Sequence, residues 1–141
     1  MKRTINRRER LLRVRHVQHA QAVAETARAR DEAEAIANNA QRLARVRAEL
    51  FKSEGVALGG SFAAYRELAG RLEMAGRQLD GALYDAKRKV EQKELTARSA
   101  DREREIAERL KKRAYEAFSE LQEARIAALP RYRRFARKEE A

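Results

Sequence analysis

The sequence has no cysteine and no tryptophan, a single proline, and aromatic residues at only 6%. Without cysteine there is no disulfide and no thiolate metal site. With so few aromatic and β-branched residues, the chain lacks what fills β-strands and large globular cores. No apolar run approaches the ~18 residues of a membrane span. The opening stretch MKRTINRRERLLRVRH has no apolar segment of the kind a secretory signal requires. It is as arginine-rich as an organelle transit peptide, but Glu9 and the helical pattern that continues beyond it argue against removal. The expectation is a cytosolic, all-α chain.

What is present is charge and alanine. Charged residues make up 39% of the 141, and Ala, Glu, Lys, Leu and Arg dominate, the composition of long helices and coiled coils. From Thr4 to Lys52 no glycine or proline interrupts, and Ile5, Leu12, Ala20, Val23, Ala27, Ala33, Ile36, Ala40, Leu43, Val46 and Leu50 fall close to one stripe. The pattern predicts a helix over about 4–52, capped by Thr4. Gly55, Gly59 and Gly60 then allow the chain to reverse in a loop over 53–61, and Ser61 is placed to cap the next helix.

The seam resumes at Tyr65, Leu68, Leu72, Ala75, Leu79, Ala82 or Leu83, Ala86 and Val90. It continues through Ala97, Ala100, Ala107, Leu110, Ala114, Ala117, Leu121 and Ala124. Gly70, Gly76 and Gly81 weaken or bend this portion unless something packs against them. Pro130 lacks an amide hydrogen and is expected to end the second helix near 128, leaving 131–141 as a mobile basic tail.

Two amphipathic helices joined by a short loop bury their stripes by folding back on each other. The expected architecture is a long antiparallel two-helix coiled-coil hairpin over 1–130. Its arms of about 49 and 67 residues measure roughly 75 Å and 100 Å, and the start of the first helix lies opposite about residue 111. An alanine-rich seam buries little area per layer, so stability borrowed from a partner or from self-association is expected. The net charge of +11 is concentrated near the chain ends, so the basic N-terminus and the run RLKKRA meet at one end of the hairpin.

Nothing in the pattern assembles a catalytic, cofactor or metal site. His16 and His19 stand three apart, but no carboxylate completes a HExxH motif and arginines surround them; a solvated or partner-facing pair is the simpler reading. GVALGGSF follows a helix and carries no Lys-Ser or Lys-Thr, so it is a turn and not a phosphate cradle. In DREREIAERLKKR the carboxylates have basic neighbours, with Glu105 and Arg109, or Glu108 and Lys112, spaced to pair. The expectation is a non-enzymatic protein without cofactors. The basic end, with Arg7, Arg8, Arg10, Arg13, Arg15, Lys111, Lys112 and Arg113, supports two readings. Either it neutralises nucleic-acid phosphates, for which no recognition motif is visible, or it docks into an acidic protein cavity.

The layout resembles that of the FliJ family, the small stalk and chaperone proteins of flagellar protein export. The resemblance spans a basic first helix, a loop before the midpoint, the stretch YRELAGRLEMA with Tyr65, Leu68, Leu72 and Ala75, and a long charged second helix. It implies a coiled coil similar to the central stalk of rotary ATPases. Such a stalk inserts into the hexameric export ATPase, promotes its assembly and couples it to the membrane export gate. The resemblance also implies work with export chaperones, peripheral membrane association through these partners, and no specific nucleic acid. Carried onto this chain, the ATPase-binding end is Arg7, Arg8, Leu11, Arg15, Lys111, Lys112 and Arg113, and the gate-binding patch is Tyr65, Leu68, Leu72, Ala75 and Leu79. The family's patch on the first helix often has tyrosines, where this chain has ANNAQRLARVRAEL. The equivalent stalk of a virulence secretion system has the same layout.

Overall fold

The computed structural model describes residues 1–52 and 61–139, with the side chains of all of these except 61 and 130–139. The glycine loop, the capping hydroxyl of Ser61 and the side chains of the basic tail therefore lie outside the described residues. Helix α1 spans Lys2–Lys52 and helix α2 spans Ser61–Glu139. They pack against each other as an all-α hairpin, with no strand among the described residues.

Helix α1 starts earlier than its sequence predicts. The Ile5 amide donates to the Met1 carbonyl at 3.1 Å, so Met1 sits at the capping position and Thr4 lies inside the first turn. At the other end, α2 continues through Pro130 to Glu139 instead of stopping near 128. The missing proline amide removes one backbone bond, which is tolerated because the preceding turns are exposed and water can take its place.

The chain divides into two compact units, Met1–Gln21 with Arg98–Ala141, and Ala22–Ala97. Each is a segment of α1 against a segment of α2. In the first, Glu9 meets Tyr115, Arg15 meets Glu103 and His19 faces Asp101. In the second, Glu25 meets Lys93, Glu32 meets Lys89 and Leu50 meets Tyr65. Within each unit, numbers fall along α2 as they rise along α1, so the pairing is antiparallel.

The seam on α1 is an unbroken alternation of three- and four-residue steps. Its positions, buried or half-buried, are Ile5, Arg8, Leu12, Arg15, His19, Ala22 and Thr26, followed by Ala29, Ala33, Ile36, Ala40, Leu43, Arg47 and Leu50. The expected Ala20, Val23, Ala27 and Val46 are exposed instead. A seven-residue repeat counted from Ile5 runs through arginine, histidine and threonine, which a stripe drawn through apolar residues skips. These polar residues are compatible with the seam because their heads find partners or water: Thr26 donates to the Ala22 carbonyl at 2.8 Å, and arginine stems bury while their guanidinium groups reach out.

Helix α2 follows the same rule through Tyr65, Ala69, Leu72, Gly76, Leu79, Leu83, Ala86 and Val90. The series continues as Lys93, Ala97, Ala100, Arg104, Ala107, Lys111, Ala114 and Phe118. Leu68, Ala117, Leu121 and Ala124 are exposed, contrary to the sequence-based seam, Leu83 rather than Ala82 takes the position the sequence left open, and Ala75 and Leu110 are half-buried beside the seam. The seam ends at Phe118, and every residue from Ser119 to Leu129 is exposed. With Glu9 against Tyr115, the first turn of α1 lies opposite about residue 119 and not 111, about two turns further along α2.

The buried set is thin: Ile5, Leu12, Ala22, Thr26, Ala29 and Ala107. Small seam residues let the helices approach closely but remove little apolar area from water.

Candidate functional site

Charge separates the two units. Met1–Gln21 carries seven Lys or Arg and one Glu, and Arg98–Ala141 carries thirteen Lys or Arg and nine Asp or Glu. The first unit therefore holds a net +10 of the chain's +11, and Ala22–Ala97 is close to neutral. A concentrated positive field of this kind attracts polyanions or acidic protein surfaces and steers their encounter.

All the residues assigned to the ATPase-binding end fall in this first unit, but they are not equivalent. Arg7, Lys112 and Arg113 are exposed, and Arg8 is half-buried at a seam position. None of these four, nor Arg10 or Arg13, forms an ion pair with another described residue. Arg15 is committed: its Nη1 donates to Glu103 Oε2 at 2.7 Å and to Gln18 Oε1 at 2.9 Å. Lys111 is half-buried, its Nζ 5.8 Å from the centre of the Tyr115 ring, and Leu11 is half-buried as well. The free cations of the set are thus Arg7, Arg8, Lys112 and Arg113.

The pairs expected within DREREIAERLKKR form differently. Arg104, held by the seam, reaches Asp101 at 2.8 Å and Glu108 at 3.3 Å, so the acid that spacing offers Lys112 is already engaged, and Glu105 and Arg109 form no ion pair among the described residues. The hydrogen bond from Arg104 holds the Asp101 carboxyl below the ordinary aspartate range, and the same bond keeps the guanidinium more firmly protonated. Tyr115 donates its hydroxyl to Glu9, which pushes the phenol's pKa up, since ionisation would forfeit that bond beside a carboxylate. In the second unit, Lys93 lowers the Glu25 carboxyl in the same way, from 3.0 Å.

His16 is exposed, whereas His19 is half-buried in the seam with its Nε2 3.6 Å from Asp101, so the two do not act as one solvated pair. Among the described residues no group of three or more His, Cys, Asp or Glu is arranged to hold a metal ion. No described helix is long and apolar enough to cross a membrane.

The patch assigned to gate binding lies in the second unit and is split by the heptad. Tyr65, Leu72 and Leu79 are half-buried seam residues, Ala75 flanks the seam, and Leu68 is on the surface at 46% exposure. The Tyr65 hydroxyl donates to the Leu50 carbonyl at 2.9 Å, and its ring meets Phe51 edge-on with centroids 6.5 Å apart. Beside it runs an open groove of about 380 Å³ lined by Leu43, Arg47, Phe51, Leu72, Gly76 and Asp80, among others. A second of about 370 Å³ lies between Phe51, Phe62, Tyr65 and Arg66.

Sequence reasoning missed Phe51 and Phe62, which are 45% and 50% exposed and contribute more accessible apolar surface here than the seam leucines do. The available signal was two phenylalanines flanking the glycine break in an aromatic-poor chain. No family model, no curated protein and no solved structure matches this chain.

Proposed function

We propose that this protein is a non-enzymatic stalk and chaperone of flagellar type III protein export. In this reading the cationic unit enters the hexameric export ATPase and promotes its assembly. Tyr65, Leu68, Leu72, Ala75 and Leu79, with Phe51 and Phe62 added, meet the cytoplasmic part of the export gate. The protein then works in the cytoplasm and at the inner face of the cell membrane through these partners, and hands on export chaperones.

The observation that carries the proposal is the coincidence of an antiparallel helix pair with a net +10 in the unit that holds the start of α1. Within that unit Arg7, Arg8, Lys112 and Arg113 have no ion-pair partner among the described residues, so they are available to an acidic cavity. The FliJ-like layout supplies the identity of that cavity. The equivalent stalk of a virulence secretion system fits the same features, and the neighbouring ATPase gene would separate the two.

The test is a pull-down from native cytosol at physiological salt with nuclease added, comparing wild type with a variant carrying Arg7→Glu, Arg8→Glu, Lys112→Glu and Arg113→Glu. Recovery of a hexamer-forming ATPase by wild type alone supports the reading. The same free cations favour nucleic-acid binding as a second reading. Recovery of nothing once nucleic acid is digested, with steeply salt-dependent binding to generic DNA or RNA, would transfer the conclusion to it.

A further inference from the structure

On the side of α2 turned away from α1, positions three and four apart form one ridge: Arg102, Ile106, Arg109, Arg113, Glu116, Glu120 and Glu123. All seven are exposed, and Ile106 is 55% exposed. The charge is arranged in blocks, with the cations before residue 114 and the acids after it. None of these charged groups makes an ion pair among the described residues, although Arg104, Asp101 and Glu108 on the neighbouring faces are all engaged.

A purely acidic partner would gain from the arginines and be repelled by the three glutamates that continue the same ridge. A purely basic partner meets the reverse conflict. A second copy of this chain, laid antiparallel on the ridge, satisfies both halves at once. Arg113 then stands opposite Glu116 and Arg109 opposite Glu120, and the two-fold axis repeats each pair. Ile106 lies against the aliphatic stem of Glu123. Because both ridges have identical spacing, all of these pairs fall into register together, which is the signature of an isologous contact.

We propose that this ridge is a self-association surface, through which two copies pair antiparallel by exchanging Arg109 and Arg113 for Glu116 and Glu120. The inference does not rest on the stalk reading. It does have a consequence for it: a paired copy has Arg113 covered, so self-association and presentation of the basic end compete.

The test is sedimentation of the full chain across a micromolar concentration range at low and physiological salt, with circular dichroism confirming that each variant is helical. Wild type is expected to show a concentration-dependent dimer that weakens with salt. Arg109→Glu with Arg113→Glu, and separately Glu116→Arg with Glu120→Arg, should each weaken it about thirtyfold or more. Mixing the two variants should restore a one-to-one dimer, since the four exchanging positions 109, 113, 116 and 120 are then all acidic on one copy and all basic on the other. The fourfold swap should restore the homodimer. A wild type that is monomeric throughout at low salt would overturn the proposal, even if it shifted on addition of an acidic polymer. So would variants that sediment like wild type both alone and mixed.

Discussion

Arg15 reaches from α1 to Glu103 on α2 at 2.7 Å, while also donating to Gln18 on its own helix at 2.9 Å. The residue belongs to the basic end by sequence and to the helix pairing by structure. Its side chain is 31% exposed and that of Glu103 is 49% exposed, so water screens the pair substantially. A double-mutant cycle of Arg15→Ala and Glu103→Ala, read by urea unfolding, is expected to give a coupling below about 1 kcal/mol. Loss of binding to an acidic partner in Arg15→Ala but not in Arg7→Ala would show that the geometry assigns the free cations wrongly.

The seam positions make a sharper prediction. Ala107 is only 2% exposed, so Ala107→Leu has no room and should destabilise by about 1–3 kcal/mol. Leu12, 8% exposed, should lose about 2 kcal/mol on truncation to alanine, at the low end for leucine because water can enter a two-helix interface. By contrast, Val23→Ala, on the outside of α1 at 49% exposure, should change stability by less than about 0.5 kcal/mol. Thermal melts followed by circular dichroism rank the three; a larger effect at Val23 than at Leu12 would place the seam on the other face.

The glycines of α2 are poor helix residues with open surroundings. A methyl group added at Gly70 or Gly81 meets nothing within 4 Å, and at Gly76 it would sit 3.7 Å from Leu43 Cδ2, an ordinary contact. Gly70→Ala and Gly81→Ala should therefore each stabilise the chain by about 0.5–1 kcal/mol, and Gly76→Ala should do at least as well. Urea midpoints measure this. Destabilisation at any of the three would mean that the glycine is kept for a bend or for close approach of a partner.

Titration should mark both ends of the pH range. Asp101 and Glu25 have carboxyls lowered by Arg104 and Lys93, so between the lowered values and the ordinary value near 4 the unfolded chain binds more protons than the folded one. Their contribution is present above about pH 4 and lost as pH falls through the lowered values. Tyr115 is raised by Glu9, so its contribution is present below about pH 10 and lost as pH rises through the raised value. Melts of Asp101→Asn and Tyr115→Phe should flatten the acid and alkaline limbs respectively, each leaving the other limb unchanged.

Much of the fold was legible in the sequence. Composition and period gave two helices, and Tyr65, Leu72, Leu79 and Leu83 fell on the true seam. The misses share a cause. At Ala20, Val23 and Ala27 the eye follows hydrophobicity, while the repeat set by Ile5 and Leu12 passes through His19, Ala22 and Thr26. Likewise Leu68 outranks Ala69 on any apolar scale, but a repeat through Tyr65 and Leu72 admits a first step of either three or four residues, and the helix takes the four, which half-buries Ala69 and leaves Leu68 exposed. Which cations are free was not legible, since i and i+4 spacing offers Lys112 the Glu108 that Arg104 takes from the seam, and offers Arg109 a Glu105 with which it forms no ion pair.

The most direct measurement is the hydrolysis rate and hexamer content of the cognate export ATPase with this protein added, wild type beside the Arg7, Arg8, Lys112 and Arg113 reversal. The account predicts that wild type raises both, that the reversal abolishes the rise, and that Arg15→Ala retains most of it. An ATPase shown to be competent yet unmoved by wild type would contradict it.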